Sequence, residues 1–184
     1  MSEKYKVRDS QIPHFMTTTI IDWVDLFTRP SYKDIILESL QYCIDQKGLI
    51  VYAYCIMPSH LHFIAASNGK LTLPEIIRDF KKFTSKQLII NMNHASESRR
   101  FWLLKKFAYA ANRGKRGSKY KIWQDGFHPE ELAGNEMMQQ KLDYIHQNPV
   151  KDGFVFKAED WVYSSASFYS GELGLEKIAL QMLE

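Results

Sequence analysis

Two histidines stand two residues apart, His60 and His62, within the run Tyr54-Cys55-Ile56-Met57-Pro58-Ser59-His60-Leu61-His62-Phe63-Ile64. Side chains of a β-strand repeat with period two, so if this run is a strand both imidazoles project from one face. Neutral imidazole is the commonest protein ligand for a divalent metal, and the pair would supply two donors together. Far along the chain, Tyr144 and Asn148 are four apart in a stretch with helical periodicity, and so lie on one helix face one turn apart. An amide oxygen is a hard neutral ligand that can join two imidazoles on Mg2+ or Mn2+, and a phenol is an oxygen nucleophile toward a metal-polarised phosphate. Type and spacing alone leave other readings open. The histidines could be ordinary buried ones, and Tyr144, one of ten tyrosines, could be a core residue.

A second group of residues suggests the substrate. The net charge is only +3, but residues 99–121 carry nine basic side chains (Arg99, Arg100, Lys105, Lys106, Arg113, Lys115, Arg116, Lys119 and Lys121) and no acidic one. The rest of the chain holds 15 basic against 21 acidic residues. Phe101, Trp102, Phe107, Tyr109, Tyr120 and Trp123 are interleaved with these cations, and cations alternating with aromatic rings suit a phosphodiester strand with stacked bases. A solvated basic loop flanked by core aromatics has the same composition.

At 184 residues, 45% hydrophobic and 14% aromatic, the chain fits one globular domain spanning 1–184. Its expected core covers about 14–169, with 99–121 as a basic insertion. No apolar run approaches the roughly 20 residues of a membrane span, and the polar start resembles no secretion signal. A cytoplasmic, nucleoid-associated protein without membrane contact is therefore expected. Cys43 and Cys55 lie among apolar neighbours and read as reduced core thiols.

The elements that must position these groups can be placed by pattern. His14 to Ile21 reads as a strand, and Trp23 to Pro30 as a loop. Ser31 to Lys47 reads as a helix stopped by Gly48. Leu49 to Met57 and His60 to Ala66 read as antiparallel strands joined tightly through Pro58-Ser59, and Leu73 to Asn91 as a second helix. A short helix at Phe101 to Ala111 precedes a loop at 112–119. Tyr120 to Trp123 reads as a further short strand, and a third helix runs from about Glu136 to Gln147, capped by Asn135 and stopped by Pro149. This order predicts an α+β fold, a ferredoxin-like antiparallel sheet with helices packed on one face.

The segment around His60-Leu61-His62, together with Leu142-Asp143-Tyr144-Ile145-His146-Gln147-Asn148-Pro149-Val150-Lys151-Asp152-Gly153, resembles the IS200-like transposases, and within them the REP-associated tyrosine transposases. His14 to Thr19, Ile122-Trp123-Gln124, Phe127-His128-Pro129 and Trp161-Val162-Tyr163-Ser164-Ser165 extend the resemblance over about residues 14–169. It implies an HUH-endonuclease fold with His60, His62 and Asn148 as ligands of Mg2+ or Mn2+. It also implies Tyr144 as the nucleophile that forms a 5′-phosphotyrosine bond with single-stranded DNA bearing hairpins. His128 and His146 are candidates for an accessory base. The chain would then cleave and rejoin DNA as a monomer or homodimer. Two alternatives share these residues: a domesticated, non-catalytic nucleic-acid-binding regulator, and a metal-dependent phosphodiesterase in which water attacks.

Overall fold

Local pattern builds the first half of the molecule. In the computed structural model, which describes residues 6–94, 97–114, 117–171 and 177–182, strand β1 (His14–Thr19) leads through two short 3₁₀ turns, Ile21–Trp23 and Leu26–Thr28, to helix α1 (Pro30–Lys47). Proline suits the first turn of a helix because its missing N–H would be unpaired there anyway. Ile36, Leu37, Leu40 and Cys43 bury the inner face of α1. Gly48 ends it in the left-handed region at φ +77°, where a side chain is strained; a Cβ would also clash with the Asn68 side chain. Strands β2 (Leu49–Ile56) and β3 (His60–Ser67) follow, then helices α2 (Leu73–His94) and α3 (Arg100–Asn112). The chain closes with β4 (Glu130–Glu131), α4 (Asn135–Lys151) and the short α5 (Ala166–Ser170).

The sheet is antiparallel with order β2-β3-β1-β4, in keeping with the expected α+β class. Its two faces bury separate clusters. Met16, Leu61 and Phe63 pack with Ile36 and Leu40 of α1 and Ile76, Ile77 and Phe80 of α2. On the opposite face Phe15, Ala53, Cys55 and Ile64 pack with Leu142 and Ile145 of α4. Helices thus cover both faces, where one was expected. The apolar stripe of α4 is like that of α1, and nothing local tells which side of a sheet such a stripe will cover.

An extra residue in β2 adjusts this two-sided burial. Val51 pairs with Ala65 but Ala53 with Ile64, so Tyr52 is a β-bulge. A bulge shifts side-chain parity: Leu49 and Val51 belong to the α1/α2 core, as do Tyr54 and Ile56 beyond the bulge. The outer edge of β2 is covered by the Trp161 to Ser165 stretch. Ile56 N–H donates to Tyr163 O at 2.9 Å and Ser165 N–H to Tyr54 O at 2.9 Å, and Trp161 Nε1 donates to Ile56 O at 3.1 Å.

Three expectations are corrected. Residues 120–123 contribute a single bridge, Trp123 to Ile20, while the fourth strand is Glu130–Glu131, an exposed acidic pair without strand-like pattern. Helix α4 starts at Asn135 with Gly134 as its N-cap and no side-chain cap. It also continues through Pro149 to Lys151. Proline is tolerated here because it lies in the last turn, where the ladder loses one bond and resumes as Asp152 N–H donates to Asn148 O at 3.1 Å.

Candidate active site

Strand parity does for His60 and His62 what the spacing predicts. Both lie on the α4 side of β3 with ring centroids 4.5 Å apart, and both are buried. Cross-strand register sets Thr17 opposite His62 and Thr19 opposite His60. Thr17 Oγ1 lies 2.8 Å from His62 Nδ1, and Ser59 Oγ lies 3.0 Å from His60 Nδ1. In the tautomer that donates from Nδ1–H to these hydroxyls, the Nε2 lone pairs are left to take a ligand. Burial pushes His60 down to about 4, with the charge of Asp152 opposing that shift. Burial, then the neighbouring His60 and Lys141, push His62 down to about 3. Both rings are therefore neutral at pH 7, the form that binds metal.

Helix α4 brings Tyr144 to this pair across 82 positions of sequence. Its ring centroid is 5.2 Å from His62 and 5.8 Å from Phe15. It is 41% exposed, so the phenol is accessible to a macromolecular substrate. Asn148 is half-buried one turn further along, on the same stripe by helical spacing. Two lysines outside the sequence-based candidate set lie on the helix face of the tyrosine. Lys151 Nζ lies 5.9 Å from the Tyr144 ring centroid. Lys141 Nζ lies 4.7 Å from that of Phe15 and pairs with Glu130 at 2.7 Å. Their signal was available, since positions 141, 144, 148 and 151 share a helix face.

His146 is two residues from Tyr144, roughly 200° around the helix. It is buried, with Nε2 2.9 Å from Ser165 Oγ and its ring 5.2 Å from Tyr169, so it ties α4 to the stretch that covers β2. His128 is exposed at φ +45°. It follows Phe127, whose carbonyl accepts the Thr17 N–H at 2.9 Å, so it lies in a segment running beside β1.

Among the described residues no group of three His, Cys, Asp or Glu side chains is placed to hold a metal ion. The donors present are of another kind: two neutral imidazoles with oriented rings, and the neutral amide of Asn148 on the helix face that carries Tyr144. Such a set is compatible with a divalent cation that retains water and takes substrate phosphate oxygens as further ligands.

The basic segment divides in two. Leu103, Phe107 and Ala111 bury one face of α3. Phe107 and Trp123 serve the core rather than a substrate, because Trp123 is wedged against Phe27 and Phe80 and donates from Nε1 to Thr84 Oγ1 at 3.0 Å; Tyr120 packs against the same cluster. Arg99 is committed to Asp25 at 2.7 Å, and Lys121 to Asp125 at 2.7 Å. The outward face of α3 presents Phe101, Trp102, Lys105, Tyr109 and Arg113. Cations stack on its rings: Arg100 on Phe101, Lys106 on Trp102 and Arg113 on Tyr109. Lys119 does the same with Tyr120. Lys115 and Arg116 lie outside the described residues.

Comparison with known proteins gives these features a lineage. The chain is 30% identical over 115 residues to a REP-associated tyrosine transposase of Escherichia coli K12, covering 62% of this chain and 53% of that protein. It is 29% identical over 117 residues to a Haemophilus influenzae protein assigned to the same group, covering 61% and 56%. The matched segment thus spans about half the length of these relatives. A REP-associated tyrosine transposase solved bound to a REP hairpin shares the fold at TM-score 0.63, with 20% identity over 100% of this chain and 94% of the other. A family model described as transposase IS200 like matches residues 12–148, from β1 through Tyr144 to Asn148, and the chain belongs to that family.

Proposed function

We propose that this protein cleaves and rejoins single-stranded DNA carrying hairpins, with Tyr144 as nucleophile. The observation that carries the reading is the convergence of Tyr144 on the His60–His62 pair, with centroids 5.2 and 4.5 Å apart in succession. The Tyr144 oxygen attacks phosphorus, the P–O3′ bond breaks, and the leaving oxygen takes a proton to become a 3′-hydroxyl. A 5′-phosphotyrosine remains. Because the phosphodiester energy is retained in that bond, a second 3′-hydroxyl can displace the tyrosine without ATP. His60, His62 and Asn148 would hold Mg2+ or Mn2+, which supplies neutralisation of charge on the phosphate oxygens. Lys151, with Nζ 5.9 Å from the Tyr144 ring centroid, adds positive charge beside the phenol, and the α3 surface carries the flanking strand. Hairpin DNA as substrate is supported by the solved relative bound to a REP hairpin.

The test is a search by denaturing gel and mass spectrometry for a covalent adduct, after incubation with Mn2+ and single-stranded hairpin oligonucleotides from the gene's own flanks. Wild type is expected to form an adduct on Tyr144 and Tyr144→Phe none. Binding without an adduct in either protein would favour the regulator. Cleavage that persists in Tyr144→Phe would favour attack by water.

A further inference from the structure

Trp23 is an exposed tryptophan in front of a buried stretch. Its indole is 61% exposed, whereas Val24, Leu26 and Phe27 just after it are buried. Both Asp22 and Trp23 adopt left-handed backbone, φ +52° and +55°. This region is unfavourable for side chains with a Cβ and a genuine outlier for one as bulky as tryptophan. Strain of this kind persists only where the surroundings impose it, and here they do. Ile20 N–H donates to Ser59 O at 2.9 Å, Ile21 N–H to Ile122 O at 2.7 Å, Trp23 N–H to Ile20 O at 3.0 Å and Phe27 N–H to Pro58 O at 2.8 Å. The turn is thus locked to the Pro58-Ser59 hairpin that carries His60.

That lock has a specific result. The Trp23 ring stands 5.4 Å from His60, centroid to centroid, at 71°, while much of the indole stays open. The residue before it, Asp22, has Oδ2 3.2 Å from Lys106 Nζ, and Lys106 in turn sits 5.6 Å from the Trp102 ring centroid. The turn that holds an aromatic ring beside the histidine pair is therefore also tied to the cation-and-ring surface of α3.

On the reading of the site given above, we propose that Trp23 is the platform on which a base next to the scissile phosphate stacks, and so a residue that sets where the strand is cut. A phosphate held at the histidine pair places its neighbouring base within reach of an indole packed against His60, and a π-face accepts any base. A second aromatic series then leads the strand toward Trp102 on α3.

The test begins without metal, in EDTA, with hairpin oligonucleotides from the gene's flanks carrying 2-aminopurine at successive single-stranded positions. Wild type should quench one position strongly. Trp23→Ala should abolish that quenching and weaken binding 5- to 150-fold, the equivalent of about 1–3 kcal/mol of stacking; Trp23→Phe should restore much of it. With Mn2+, the quenched position should border the cleavage site, and Trp23→Ala should scatter cleavage over neighbouring bonds. An abasic nucleotide at that position should reproduce the loss in wild type and leave Trp23→Ala unaffected, which removes folding of the variant as a cause. Wild-type adduct formation combined with a Trp23→Ala protein that binds and cuts at the same bond would overturn this proposal alone. Absence of both binding and adduct in wild type would overturn it together with the proposed function.

Discussion

Thr17 Oγ1 and His62 Nδ1 are 2.8 Å apart, a contact made by strand register across 45 positions of sequence. The hydroxyl orients the imidazole, and when it accepts from Nδ1–H the Nε2 lone pair is free to take a ligand. Such outer contacts govern metal affinity by about 10- to 100-fold. Thr17→Val keeps the shape and removes the hydroxyl, so Mn2+ affinity should fall by about that factor, with adduct formation recovered at higher Mn2+. Titration calorimetry with Mn2+ alone measures it; unchanged affinity would mean that the hydroxyl does not set the ligand.

The two chemistries of the α3 surface should separate in a salt titration. Lys105→Ala and Arg113→Ala should each lower the slope of log affinity against log salt by about 1 for single-stranded oligonucleotides. Trp102→Ala or Tyr109→Ala should lower affinity with the slope unchanged, since stacking releases no counterions. Equal effects on the slope from both pairs would contradict the division.

His146 should make the protein acid-sensitive. Burial pushes it down to about 4, with Asp143 opposing, whereas in the unfolded chain it titrates near 6.5. As pH falls the unfolded state takes up the proton first. Stability is therefore lost from about pH 6.5 downward, and the loss is complete near pH 4, on the order of 3 kcal/mol. His60 and His62 contribute with the same sign in the absence of metal. His146→Gln should flatten part of this slope, as read by urea unfolding at pH 7 and pH 5; an unaltered slope would show that His146 is not its source.

Glu97 secures the start of α3. Its side chain is 1% exposed and accepts from Arg29 Nε at 2.8 Å, the Tyr32 hydroxyl at 3.1 Å and the Arg99 N–H at 2.9 Å. Glu97→Ala leaves the buried Tyr32 hydroxyl without this acceptor and should cost about 2–3 kcal/mol, seen as a lower urea midpoint with unchanged slope. DNA affinity should also fall, because Asp25, Arg99 and α3 lose their common anchor. A loss below about 0.5 kcal/mol would mean that the cluster behaves as a surface pair.

What could be read from the sequence was whatever depends on short spacing. Period two placed His60 and His62 on one face, the four-residue interval placed Tyr144 and Asn148 on one stripe, and Gly48 marked the end of α1, because these follow from backbone geometry within a few residues. The tertiary structure decided everything that depends on pairing between distant segments. It set Tyr144 beside His62 by laying α4 on the sheet face opposite α1 and α2, and it recruited Glu130–Glu131 as the strand beside β1. It also sent Phe107 and Trp123 inward while Trp102 and Tyr109 stayed outside, and it bent Asp22 and Trp23 into strained backbone against His60. Each of these outcomes is a choice among faces or partners that are equivalent locally, and long-range packing and hydrogen bonding break the tie.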